Sequence, residues 1–286
     1  MSPQSHAERP QLYHENILDM YRPRRLSGEP DRYRLTEYRA RKPIFPLKPS
    51  TQKALNFWFR TRWVQTLSRQ VDRDYTNVYY AQLRPVPIII SLALRLLDSL
   101  PRSARTWAQR IFPEWFLPAN LIIKCRKDED PEHLDPVPAY GPLLSNFDNE
   151  CKAYEQLQPL QGITIPKYYG RANCNGRHAI LIQYMPGSNL SEPESGTLTF
   201  DEAKELLEKC YLELAQYKAC QTDCNIRNFI LLPDRKRLMT VDLEYMVVLT
   251  DEKLLNFHAV GYPQDLLGSY LRMQKCLRFD GLLEAA

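Results

Sequence analysis

The stretch from Thr199 to Glu244 constrains this chain more than any other, because it reads as a capped helix, a polar loop and a hairpin in immediate succession. Thr199 followed three residues later by Glu202 has the form of a capping box. The helix it opens, DEAKELLEKCYLELAQYKAC, carries Ala203, Leu206, Leu207, Cys210, Leu214 and Tyr217 on one face. Two apolar runs follow, NFILL and RLMTVDLE, and the turn PDRKR between them predicts a β-hairpin. Between helix and hairpin stands QTDCNIRN, which sets Asp223 and Asn228 five residues apart. A polar loop pinned between two such elements is held at both ends, so its side chains are either a bland turn or a site.

The rest of the chain supplies elements of the same mixed kind. NLIIKCR, residues 120–126, reads as a strand in which Lys124 follows three apolar residues. Ser145 and Asp148 predict the cap of a helix whose face runs Phe147, Cys151, Tyr154 and Leu157. YYGRA and HAILIQY flank the turn NCNGR as two strands, and the breaker PGSN ends the second. Residues 51–116 hold all four tryptophans and place apolar residues at roughly helical spacing, predicting helices near 51–71, 88–99 and 102–112 with breaks at Pro87 and Pro101. Residues 1–50, rich in Arg, Tyr and Pro, read as a basic extended arm, and the tail from Asp251 reads as two modest helices. The expected fold class is α+β, with units at 1–50, 51–116, 117–190 and 191–286.

Charge is divided unevenly. Residues 1–115 hold 20 Lys and Arg against 10 Asp and Glu, while residues 116–286 hold 18 against 24. Such a split fits a basic first part lying on an acidic second one, or an anionic partner such as a nucleotide or nucleic acid. The seven scattered cysteines lack paired spacing, which fits reduced thiols and a cytoplasmic protein better than a disulfide framework or a zinc site. The polar start lacks the apolar core of a signal peptide. VPIIISLALRLL, residues 86–97, is too short to span a bilayer and contains Arg95, so it predicts a buried helix, with attachment to a membrane surface as the alternative.

The order of LIIK, NECKAY, LIQYMPG, QTDCNIRN and VDLE resembles the protein-kinase-like superfamily, and within it the atypical small kinase-like proteins common in fungi. The resemblance covers residues 117–250. It implies a two-lobed protein-kinase-like fold with a reduced C-terminal lobe and an additional N-terminal helical region. It also implies roles. Lys124 would meet the nucleotide phosphates and Glu150 would pair with it; Gln183, Tyr184 and Met185 would line the adenine; Asp223 would be the catalytic base; Asn228 and Asp242 would hold Mg2+. The chain departs from the family pattern in lacking G-x-G-x-x-G, with no glycine between Gly28 and Gly141, in placing Gln221 where the family has His, and in placing Glu244 where it has Gly.

Three functions follow as expectations. The first is an ATP- and Mg2+-dependent phosphotransferase acting on a small molecule or unusual acceptor. The second is a pseudokinase-like binding or scaffold protein that keeps the site without turnover. The third is nucleic-acid binding through the basic, aromatic segments around Arg22–Arg25 and Arg32–Lys42.

Overall fold

A computed structural model describes residues 53–60, 62–71, 76–84, 88–99, 101–127 and 145–284. The basic arm expected at 1–50 and the proline-rich loop at 135–142 lie outside the described residues.

The expected helix over 51–71 is instead a pair of strands, β1 (Lys53–Phe59) and β2 (Arg62–Gln70), joined antiparallel with Phe59 opposite Arg62. Alternation decides this. Leu55, Phe57 and Phe59 are buried while Trp58 between them faces out, the period of two that a strand needs. The signal is blurred in β2 because its buried positions are Thr66 and Ser68. Their hydroxyls are satisfied by carbonyls, Thr66 donating to Gln82 at 2.7 Å and Ser68 to Lys53 at 3.3 Å.

Six strands close into an antiparallel barrel in the order β1, β2, β3 (Val78–Leu83), β4 (Asn120–Cys125), β6 (Arg177–Gln183), β5 (Tyr168–Cys174), and β5 pairs back onto β1. This corrects the two-lobed protein-kinase-like expectation: a closed six-stranded barrel does not fit that fold, and the segment read as an added helical region builds half of it, the strands β1–β3. The barrel interior is filled by Phe57, Phe59, Ala81, Leu121, Ile123, Cys125, Ala179 and Leu181. The β5–β6 turn at Asn175–Gly176 takes positive φ at both residues (52° and 83°), the geometry a two-residue hairpin favours.

Helices α1 (Ile88–Asp98) and α2 (Arg102–Ile111) are inserted between β3 and β4. Helix α3 (Asn146–Gln156) starts at Ser145, whose hydroxyl accepts from the Asp148 amide at 3.2 Å. It covers the outward face of β4 and β6, packing Phe147, Cys151 and Tyr154 against Ile122, Ile180 and Ile182. Beyond a two-residue strand β7 (Ser188–Asn189) comes α4 (Phe200–Ala215), opened by the capping box at Thr199 and Glu202. Strands β8 (Ala219–Gln221), β9 (Phe229–Leu231), β10 (Leu238–Thr240) and β11 (Met246–Val248) form two small sheets, β10–β9–β7 and β11–β8. Gly187 makes the first possible, since at φ 144° an added Cβ would stand 2.2 Å from the Leu231 carbonyl oxygen.

The tail is one helix, α5 (Glu252–Phe279), not two. Although Gly261 and Pro263 lie inside it, Leu266, Leu267, Tyr270, Met273 and Leu277 pack against Leu206, Leu207, Cys210 and Tyr211 of α4. That burial outweighs the hydrogen bond Pro263 forgoes. Among the described residues no helix is long and apolar enough to cross a membrane, and all seven cysteines are free thiols.

Candidate functional site

Strand alternation explains why a lysine sits in the middle of the molecule. Leu121, Ile123 and Cys125 of β4 point into the barrel, so Ile122 and Lys124 point out of it, towards α3. Lys124 has only 8% of its side chain exposed, and its ammonium meets three carboxylates: Glu150 Oε2 at 2.7 Å, Asp242 Oδ1 at 2.5 Å and Glu244 Oε1 at 2.9 Å. Glu150 arrives from the first turns of α3, on the helix face that covers β4. Asp242 and Glu244 arrive from the turn that follows β10.

That turn is shaped by specific contacts. Asp242 takes a left-handed conformation, φ 60° and ψ 67°, which costs a non-glycine residue energy and persists only where neighbours enforce it. Gln221 donates from Nε2 to the Asp242 carbonyl at 2.8 Å, Val241 donates its amide to the Asn228 carbonyl at 2.8 Å, and Asn149 donates to the carbonyls of Glu244 at 2.7 Å and Met246 at 3.1 Å. Gln221 therefore ties the loop to the Asp242 turn as a hydrogen-bonding support.

The loop itself brings Asp223 and Asn228 together, Asn228 Nδ2 donating to Asp223 Oδ2 at 2.8 Å. β9 follows Asn228 directly and pairs with β10, so Asn228 and the Asp242 turn lie at the same end of the hairpin. The loop's start is fixed by Tyr211 of α4, which donates to the Gln221 carbonyl at 3.0 Å.

Electrostatically the cluster is out of balance. Burial alone would push the Lys124 ammonium down, but Glu150, Asp242 and Glu244 outweigh it and hold its pKa well above the usual value. Burial drives Glu150 up to about 7, opposed by Lys124 and assisted by Asp242 and Glu244. Asp223 is also raised, first by burial and then by Asp242 and Glu244, with the Asn228 hydrogen bond opposing. One ammonium faces three carboxylates, and Glu150, fully buried, makes no hydrogen bond at either oxygen beyond its ion pair with Lys124. An excess of buried negative charge is costly unless a cation is added.

Two features suit Mg2+ as that cation. Ligand oxygens of Glu150, Asp242 and Glu244 lie within 4.8 Å of one another, and the donors are hard oxygens, with the Asn228 side chain on the same side of the hairpin. The residues thus fit the metal.

Lys124, Glu150 and Asp242 of this cluster line a pocket of about 220 Å³. Its walls are apolar, with Val78 and Ile122 from the barrel, Ile182 beside them, and Ile230 and Val241 from the hairpin side. Gln183, Tyr184 and Met185 line it as the chain leaves β6, and Tyr184 meets Tyr80 edge to face with ring centroids 4.9 Å apart. All the site residues expected from sequence, except Asp223, line this pocket, and Asp223 is hydrogen-bonded to one that does. Sequence reasoning missed Val78 and Tyr80, whose strand VYYAQL was legible as a β-rich run, and Asn149, which only its position beside Glu150 could have flagged.

No family model matches the chain, and a search of curated proteins returns no match. The reading of the site rests on its geometry.

Proposed function

We propose that this chain is an ATP- and Mg2+-dependent phosphotransferase acting on a small-molecule or unusual hydroxyl acceptor. The observation that carries the proposal is the Lys124 ammonium, buried among Glu150, Asp242 and Glu244 at the charged end of an apolar pocket. An apolar slot with a few convergent charges is what a nucleotide needs, a flat base held dry and its phosphates met by cations. The order of motifs that resembles the protein-kinase-like superfamily supports the same chemistry.

Roles follow from position. Val78, Ile122, Ile182, Ile230 and Val241 would enclose the base, and the chain at Gln183–Met185 would meet its polar edge. Lys124 would neutralise phosphate oxygens, with Glu150 fixing the ammonium from below. Asn228 and Asp242, with Glu244 beside them, would hold Mg2+, which when bound supplies charge neutralisation to the phosphates. Asp223 would accept the proton of the attacking hydroxyl, and the burial that raises its pKa makes it a stronger base than an exposed aspartate. Asn228, donating to one Asp223 oxygen, would leave the other oriented for that proton.

A second reading is favoured by one observation: all three carboxylates already engage Lys124, so the site could bind a ligand without turning it over. Thermal unfolding with and without Mg-ATP separates the cases when combined with release of phosphate. At a hundredfold excess over Kd a ligand stabilises by about 2.7 kcal/mol. The phosphotransferase reading expects a Mg2+-dependent shift that Asp242→Asn abolishes, together with slow ATP turnover that Asp223→Asn abolishes. A shift without turnover selects the binding protein, and no shift at all defeats both.

A further inference from the structure

The helical hairpin α1–α2 is built against the usual rule. Eight of the eleven residues of α1, IIISLALRLLD, are apolar, yet none of its described side chains is buried. Ile88, Leu92 and Leu96 recur every fourth residue, on one helical face, and are 78%, 53% and 68% exposed. In α2 Trp107 is 64% exposed and Ile111, one turn on, is also open to solvent. Among the described side chains of α2 only Ala108 is buried. The hairpin is nevertheless anchored: just past α2, Arg62 of β2 lies over the Phe112 ring at 4.8 Å and pairs with Glu114 at 3.1 Å.

Charge says what covers this surface. Residues 84–111 carry five arginines (84, 95, 102, 105 and 110) against a single acid, Asp98. Arg95 adjoins Leu96, and Arg110 lies one turn from Trp107. A second copy docking symmetrically through the same hairpin would set two basic surfaces face to face. Nucleic acid would satisfy the arginines but offers no apolar surface for Ile88, Leu92 and Leu96. Anionic lipid offers both phosphate headgroups and acyl chain, and Trp is at home at that boundary.

We infer that α1–α2 is a docking element for an anionic membrane surface, lying on the bilayer rather than crossing it. At 11 residues α1 is about 16 Å long, roughly half the hydrocarbon thickness. Such an element would bring the phosphotransfer site to acceptors at a membrane surface, although the docking itself does not depend on that activity.

Co-sedimentation of the full chain with vesicles tests this, using phosphatidylcholine alone and phosphatidylcholine containing phosphatidylserine. The wild type should bind the mixed vesicles at least tenfold better than the neutral ones. Leu92→Ser/Leu96→Ser keeps every charge and should lose about tenfold or more of that binding, as apolar burial predicts. Arg95→Glu/Arg110→Glu should lose a comparable factor. The basic segment at 1–50 attracts anionic vesicles by charge alone, so undiminished binding of the leucine variant would overturn the inference. Equal binding to neutral vesicles, or no binding to either, would overturn it too. So would a wild-type dimer that the leucine variant turns into a monomer, since a second copy would then be the occupant.

Discussion

The Lys124 cluster and the α1–α2 hairpin break the same rule from opposite sides. In the cluster four charged side chains lie where apolar ones belong; in the hairpin isoleucine, leucine and tryptophan lie where charge belongs. Folding gains nothing from either arrangement. Burying charge costs several kcal/mol per ion before pairing, and leaving Leu96 in water forgoes about 1.5–3 kcal/mol of burial. Yet the two differ in what they need next. The cluster carries excess negative charge, and on the proposed function a cation and phosphates would complete it. The hairpin carries excess positive charge and exposed hydrocarbon, and is completed by a surface that offers both opposites.

The sharpest way to break the comparison is Lys124→Met. Removing the ammonium leaves the buried Glu150 and Glu244 and the half-buried Asp242 together without a counter-charge, which should cost about 3–5 kcal/mol in denaturant unfolding and abolish any Mg-ATP stabilisation. Loss of less than about 1 kcal/mol would mean that solvent reaches the cluster and that its charges behave like a surface network.

Glu150 gives the next largest effect, and a signed one. Its folded pKa is raised to about 7 from an ordinary 4.5. Its contribution to stability is therefore fully present below pH 4.5 and is lost as pH rises through about 7. Over that window the wild type should lose about 3 kcal/mol relative to Glu150→Gln, which has no proton to give up. Parallel stability curves for the two proteins would show that Lys124 keeps Glu150 ionised throughout.

How much of this could be read from the chain divides along the same line. The cluster was legible because its residues lie on elements with strong local signals: the capped helices at Ser145 and Thr199, the strand ending in Lys124, and the hairpin ending in Asp242. Lys124 and Glu150 sit on the strand and helix assigned to them and Asp223 on its loop, while Asp242 lies in the turn just past β10 rather than at the strand's end. The barrel was not legible. Thr66 and Ser68 occupy inward positions of β2, so its alternation vanished, and Trp58 and Trp63 face outward and imitate a helical stripe. Closure of the barrel depends on β1 meeting β5 more than a hundred residues later, Phe57 opposite Cys174, a pairing without any local signature. The single tail helix was hidden for a related reason, since only packing against α4 carries it through Pro263.

Gln221 sharpens the picture at smaller scale. Its side chain is fully buried and donates to the carbonyl of the strained Asp242. Gln221→Ala leaves that carbonyl without its partner and should cost about 1–2 kcal/mol. If the turn relaxes, the Mg-ATP shift should fall further than stability does, because Asp242 is displaced. Gln221→His tests the support more gently: an imidazole N–H that reaches the same carbonyl should restore the shift, and a shift that stays lost would show that the amide's reach is specific to this loop.

The smallest effect is the most telling for the hairpin. If Ile88, Leu92 and Leu96 truly face water in the isolated protein, Leu92→Ser/Leu96→Ser removes no buried contact and should change unfolding free energy by no more than about 0.5 kcal/mol. Were another part of the chain to cover them, two lost leucines would cost about 3 kcal/mol or more, and the docking inference would fall because the surface would already be occupied. The same substitution should leave Mg-ATP stabilisation unchanged, since α1 contributes no residue to the pocket. A variant that keeps its fold and its nucleotide response while losing only the vesicles would show that the two anomalies are independent, one completed by a ligand and the other by a surface.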